Sequence, residues 1–335
     1  MKHTIIIAEA GVNHNGNLAL AKRLVDAAAD AGADYIKFQT FRSEELVAKS
    51  AKMADYQKEN LQADDDSQLA MLKRLELSEA DHSELISYAA ERGIRFLSTA
   101  FDLASIDFLH SLQPDFWKVP SGEITNLPYL RKIAEKGGRV VMSTGMCAIS
   151  DVLAAVEALT AAGVKRDDIT LLHCNTQYPT PFADVNLRAM QHLAAATGLS
   201  VGYSDHTVGI EVPIAAVALG ACVIEKHITL DRTLPGPDQA ASIEPDELCR
   251  MVAAIRNIEQ ALGSGVKEIT ASERPNIAAA RKSIVAKRAI AKGELLSEDN
   301  LTAKRPGTGL SPMRWDEVVG TWAVRDFDED ELIEL

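Results

Sequence analysis

Two short stretches carry side chains that a folded core does not need. "VGYSDHT" (201–207) runs apolar and then delivers Ser204, Asp205 and His206, and "ACVIEKHI" (221–228) runs apolar and then delivers Glu225, Lys226 and His227. Strand interiors are stabilised by burying apolar surface, so acid and imidazole at the ends of two such runs point to chemistry. Side chains two apart on a strand share a face, which groups Ser204 with His206, and Val223 and Glu225 with His227. Neighbouring parallel strands lie about 4.8 Å apart, close enough for His206 and His227 to grip one metal ion. With Glu9 or Asp238 as the outer partner, that site is open. It suits a divalent Mn²⁺-type ion with exchangeable waters, with Mg²⁺ or Co²⁺ as alternatives, rather than closed structural zinc.

A second constellation is cationic. Lys37 and Lys118 sit near the hydroxyls of Thr99, Ser121 and Ser143, a combination that supplies both point charge and donors to a phosphate. The structural reading of the same lysines is a pair of salt bridges to Glu9 and Glu123. A Schiff-base lysine is a third reading, and it leaves the hydroxyls and the histidine pair without a role.

What must position these groups is a set of apolar, β-rich runs: 4–11, 34–41, 94–101, 115–122, 139–145, 169–175, 200–206 and 221–228. Helical patterns such as "NLALAKRLVDAAADAG" and "NLPYLRKIAEKG" lie between them, opened by capping residues and mostly closed by Gly. Strand and helix alternating eight times predicts a parallel (β/α)8 TIM barrel over residues 1–265, closed by a last helix over 244–263. In such barrels the site forms where the C-terminal strand ends converge, and here almost every run turns polar at that end.

The chain of 335 residues is long enough for one large domain and a small one. Its apolar runs are too short for a membrane span or a signal peptide, which predicts a cytoplasmic protein with no membrane partner. The four cysteines form no CxxC pair, against a zinc cluster or disulfide framework. A formal net charge of −13 excludes nucleic acid as a partner and requires any anionic ligand to be small and met by a local cationic pocket.

Residues 266–281 read as a connector and 282–335 as a small second domain of short apolar runs and tight turns. Its "KRPGTG" loop presents Arg305. Residues 42–77 are too long for an ordinary βα loop and form a candidate lid, with a helix in "SQLAMLKRLEL".

The motifs "AEAGVNHNG", "IKFQTF", "FLSTAFD", "WKVPSGE", "STGM", "LLHCNTQYPTP", "GYSDHT", "EKHITLD", "PGPD" and "KRPGTG" together resemble the bacterial N-acetylneuraminate (sialic acid) synthase family. The forms "HCNTQYPTPFADVNL" and "LPYLRKIA" are most similar to its sialic and legionaminic acid branch. The resemblance runs from about residue 5 to residue 330 and implies a metal-dependent barrel followed by an antifreeze-like (SAF, β-clip) domain.

It also implies condensation of phosphoenolpyruvate with N-acetylmannosamine to N-acetylneuraminate and phosphate. The runner-up is a legionaminic acid-type synthase using 2,4-diacetamido-2,4,6-trideoxymannose. By the resemblance, His206 and His227 hold the metal. Lys37, Thr99, Lys118, Ser121, Ser143 and Ser204 bind phosphoenolpyruvate, and Gln39, Tyr178 and Asp238 line the sugar and phosphate region. Glu123 is the acid/base candidate, with Glu9 as a second catalytic carboxylate. Arg305 reaches the acyl group of the N-acylated amino sugar from the other subunit of a domain-swapped homodimer. The pattern departs at Thr176, preceded by Asn175, where other members carry Asn two residues before the Tyr of "YPTP". That puts a ligand contact at Thr176 in question. A metal-dependent hydrolase would show an HxH near the first strand, where this chain has "NHNG", and a non-catalytic sugar-binding protein would not need the lysines, histidines and Glu123.

Overall fold

The eight apolar runs become eight parallel strands in the computed structural model, which describes residues 3–61 and 67–335. These are β1 (Ile5–Gly11), β2 (Tyr35–Thr40), β3 (Arg95–Ala100), β4 (Trp117–Val119), β5 (Val140–Ser143), β6 (Ile169–His173), β7 (Ser200–Asp205) and β8 (Val223–His227). The sheet order is β3-β2-β1-β8-β7-β6-β5-β4, so the first strand pairs with both the second and the last and the sheet wraps into a barrel. Strands such as β1 are buried on both faces, with Ile6, Ile7 and Ala8 inaccessible, because helices cover the outside.

The covering helices begin at local caps. The Asn17 side chain accepts from the amides of Ala19 and Leu20 to start Leu18–Asp30. Ser78 and Asp81 form a reciprocal capping box at Glu79–Glu91, and Asp102 and Asn126 cap Leu103–Ser111 and Leu127–Lys136. The closing helix runs Pro245–Ala261 and packs Leu248, Met251 and Ile255 into the core around β1 and β8. Among the described residues no helix is long and apolar enough to cross a membrane.

Between β2 and β3 the chain forms three short helices, Ser43–Leu46, Asp55–Leu61 and Gln68–Leu75. The last, expected from "SQLAMLKRLEL", is capped by Ser67, whose side chain accepts from the Ala70 amide. Residues 62–66 of the expected lid lie outside the described residues.

The chain divides into two compact units, Met1–Gly263 and Ser264–Leu335. Within the second, Asn276–Ala280 forms a short helix inside the stretch read as a connector. Strands β9 (Ser283–Ala286) and β10 (Leu301–Lys304) then pair antiparallel, and bridges tie Val285 to Leu332 and Ile290 to Phe327. Ile284, Leu296, Val318, Phe327 and Ile333 fill the small core of this unit.

Candidate active site

Strand register brings the charged side chains together. Glu9 on β1 is opposite Lys37 on β2 and opposite His227 on β8, and Ser204 on β7 is opposite Glu225 on β8. Lys37 forms an ion pair with Glu9, donates to Thr99 Oγ1 at 3.1 Å and lies 3.6 Å from Glu225 Oε2. Lys118 donates to Ser143 Oγ at 2.8 Å and lies 3.4 Å from Glu225 Oε1, which also accepts from Ser204 Oγ at 2.9 Å. Glu225 therefore bridges the two lysines. The alternative of Lys118 paired with Glu123 is not what forms, because Glu123 lies beyond β4 on the turn Ser121–Glu123.

This cluster of two acids and two bases shifts its own ionisation. Burial works against the Glu225 carboxylate, but Lys118 and Lys37 outweigh it and hold the carboxyl down at about 2. Burial pushes Glu9 up to about 7, with the like charge of Glu225 adding to it and Lys37 opposing. Burial also opposes the Lys37 ammonium, yet Glu225 and Glu9 leave its pKa raised, while Lys118 is lowered by burial.

Beside the cluster stands an aromatic group. The rings of His206 and His227 are 5.3 Å apart, and Tyr178 stacks on His206 at 4.0 Å and meets His227 edge-on at 5.5 Å. His206 Nδ1 donates to the Asn175 carbonyl at 2.5 Å, which fixes its tautomer and leaves Nε2 for ligation. His227 Nδ1 is buried without a hydrogen-bond partner, 3.9 Å from Asp238 Oδ2. Burial keeps both rings neutral, lowering His206 to about 4 and His227 well below the ordinary value. Burial also raises the Asp238 carboxyl to about 6. Two neutral imidazoles, one with an orphaned nitrogen, beside a buried carboxyl fit a divalent cation. Among the described residues no group of three or more His, Cys, Asp or Glu side chains is gathered tightly enough to hold an ion by itself.

All the candidate residues of the first unit line one cavity of about 820 Å³. Arg305 belongs to the second unit, where it is exposed and its Nε donates to the Ala280 carbonyl at 3.1 Å. Glu123 is half-buried, with Asn126 Nδ2 donating to Oε2 at 2.7 Å; burial raises its pKa, the Asn126 bond opposes, and Asp102 adds. Ser121 Oγ accepts from the Gly145 amide at 2.9 Å, and a Cβ on Gly145 would lie 2.6 Å from Thr176 Cγ2, so this wall closes only around glycine. Thr176 lines the cavity while Asn175 is spent on structure, its carbonyl on His206 and its Oδ1 on the Gln177 amide at 2.7 Å.

The NeuB family model matches residues 24–267, and the SAF domain model matches residues 281–334. The chain belongs to the NeuB family. It is 54% identical over 333 residues to the N,N'-diacetyllegionaminic acid synthase of Campylobacter jejuni, covering 99% of both chains. The enzyme of the same name from Legionella pneumophila is 50% identical over 318 residues, 94% of this chain and 89% of that one. Among solved structures, the N-acetylneuraminic acid (sialic acid) synthetase of Leptospira borgpetersenii, in complex with citrate, superposes with a TM-score of 0.73. It is 37% identical, over 82% of this chain and 90% of that chain. In this NeuB barrel the residue the strand-end reading left without a role is Glu225; its position two residues before His227, on the same face, is the signal that marks it.

Proposed function

We propose that this NeuB chain is a phosphoenolpyruvate-dependent synthase of a nine-carbon sugar acid. It condenses phosphoenolpyruvate with 2,4-diacetamido-2,4,6-trideoxymannose to give N,N'-diacetyllegionaminic acid and phosphate. The observation that carries the synthase reading is the lysine pair, Lys37 and Lys118, joined through Glu225 and set in the same cavity as the histidine pair. The sugar is argued from identity: two diacetyllegionaminic acid synthases match at 54% and 50% over nearly the whole chain. N-acetylmannosamine is the second reading, supported by the 37% identity to the Leptospira sialic acid synthetase.

In this reading Lys118 with Ser143 and Lys37 with Thr99 receive the phosphate and carboxylate of phosphoenolpyruvate, which the rest of an acidic protein would repel. His206 and His227 would hold a divalent ion, Mn²⁺ by preference over Mg²⁺ or Co²⁺, which would supply Lewis acidity for the aldehyde of the open-chain sugar. The methylene carbon of phosphoenolpyruvate bonds to the aldehyde carbon, and positive charge develops at the carbon bearing the phosphate ester. Water adds there, Glu123 takes one of its protons, and that proton returns to the alkoxide left on the former aldehyde carbon. The tetrahedral centre then expels phosphate by C–O cleavage, the phosphate taking the hydroxyl proton as the ketone forms. Burial raises the Glu123 pKa toward the range of a useful general base. As part of the same proposal, the protein works as a domain-swapped homodimer in which Arg305 contacts the sugar's acyl group in the barrel of a second copy.

The test measures phosphate release from phosphoenolpyruvate with each sugar side by side. Turnover with the diacetamido sugar at the higher kcat/KM supports the proposal. A preference for N-acetylmannosamine transfers the chain to the second reading, and no phosphate release with either sugar overturns both.

A further inference from the structure

The cavity has two unlike sides. Its floor is the charged and hydroxylic ring of strand ends. Facing it, from the segment between β2 and β3, are Leu46, Val47, Met71, Leu72 and Leu75. Met71, Leu72 and Leu75 share one face of helix Gln68–Leu75 and form an apolar cluster with Val12 and Phe41, with Leu46 and Val47 packed against it. Asp55 is the one charged residue of this segment that lines the cavity among the described residues, accompanied by the amides of Gln57 and Gln68. An anion such as phosphoenolpyruvate gains nothing from such a surface, so the wall belongs to the other substrate.

We infer that this wall selects the sugar by its far end, receiving a 6-methyl group and a 4-acetamido group in preference to the free hydroxyls of N-acetylmannosamine. The inference rests on the synthase reading above and deepens it. The aldehyde end of an open-chain sugar must reach the histidine pair at the strand ends, so carbons 4 to 6 extend outward past the overhanging segment. N-acetylmannosamine carries hydroxyls at C4 and C6 that lose water against leucine and methionine without gaining a partner. The diacetamido trideoxy sugar offers a methyl at C6 and an acetamido methyl at C4 to the same surface. The glutamine amides match the acetamido N–H and carbonyl. An apolar wall discriminates against an added hydroxyl only modestly, so its contribution is a preference of roughly 10- to 100-fold.

The test compares kcat/KM for both sugars, and KM for phosphoenolpyruvate, in wild type, Leu72→Asn and Val47→Thr. Leu72 is buried, so Leu72→Asn also reads folding, whereas Val47 is half-buried and Val47→Thr keeps its shape. The expected result is that each folded variant narrows the preference for the diacetamido sugar by about threefold to tenfold while KM for phosphoenolpyruvate stays unchanged. If wild type prefers the diacetamido sugar but Val47→Thr and any folded Leu72→Asn change both sugars equally or not at all, the wall is not the selector and the synthase reading stands. If wild type itself prefers N-acetylmannosamine, the substrate reading fails first and takes this inference with it.

Discussion

Strand β8 contributes to two buried charge clusters that face opposite ways, one with Asp205 of β7 and one with Lys37 of β2 and Lys118 of β4, and the two differ in how fully they are satisfied. On the outward face Lys226 Nζ donates to Asp205 Oδ2 at 2.6 Å and to the Thr207 carbonyl at 2.5 Å, and Thr207 returns its amide and hydroxyl to Asp205. Every charge there has its partner, and both side chains are fully buried. One residue along, facing inward, Glu225 is shared between two lysines, Glu225 Oε2 has no hydrogen-bond partner, and His227 Nδ1 has none either. Alternation on a strand thus puts a satisfied pair and an incomplete one a few ångströms apart. The complete pair serves the barrel; the incomplete set is the one whose chemistry fits a ligand.

The largest break in this comparison is removal of the ion. Exhaustive chelation should abolish phosphate release and Mn²⁺ should restore it, while circular dichroism of the metal-free protein stays native because the histidines carry no fold-level burden. Full activity in metal-free protein would remove the ion from the chemistry.

Next is the pair itself. Lys226→Met leaves Asp205 buried without its cation and should lower unfolding stability by about 3–5 kcal/mol in denaturant titrations. Lys37→Met should lower kcat/KM for phosphoenolpyruvate roughly 10²-fold or more at a much smaller stability cost, since burial already raises the Glu9 pKa and the carboxyl can take up a proton once the ammonium is gone. Equal stability losses in the two variants would erase the distinction between the faces.

A smaller effect tests the base. Glu123→Gln should reduce kcat roughly 10²-fold with phosphoenolpyruvate affinity close to wild type. A base works deprotonated, and burial raises the Glu123 pKa, so the acid limb of the wild-type profile should begin at higher pH than for an ordinary glutamate. That limb should vanish in Glu123→Gln; its persistence would assign it to another group.

The smallest effect is expected at Arg305. Arg305→Ala should raise the sugar KM about tenfold, equivalent to about 1.4 kcal/mol, with little change for phosphoenolpyruvate. Hybrids of Arg305→Ala with Glu123→Gln chains should regain activity if the arm serves a second copy. Subunit exchange without recovery would confine Arg305 to its own chain or remove it from the site.

Much of this was legible in the sequence because period-two alternation is strict. Once eight parallel strands are marked, polar strand ends fall on one rim and face parity groups Ser204, His206, Glu225 and His227. The partner of Lys118 was not legible. Glu123 is near in sequence but sits past the strand end, whereas Glu225 arrives through the curl of the sheet, which only three-dimensional closure reveals. Asn175 and Thr176 divide their roles by backbone geometry, one carbonyl turned to His206 and one side chain turned to the cavity, which residue types do not encode. The apolar lining from Leu46 to Leu75 was hidden because leucines in a helical pattern read as core packing. Here the same side chains do both, packing on Val12 and Phe41 and facing the cavity.

The Glu9, Lys37, Glu225 and Lys118 cluster has a further consequence. In the proposed reaction it would act as an ion exchanger whose counterions are tethered to the resin. With two carboxylates facing two ammoniums, the site is close to neutral before any substrate arrives, so an incoming anion must displace a resident carboxylate from its lysine. A stray monoanion offers too little charge to do so, whereas a phosphate ester with an adjacent carboxylate can claim both lysines at once. Inorganic phosphate released by the proposed C–O cleavage lacks that second anionic handle. The tethered carboxylates would then compete for the lysines again, which would favour product leaving a site that, in this reading, binds its substrate with the same groups.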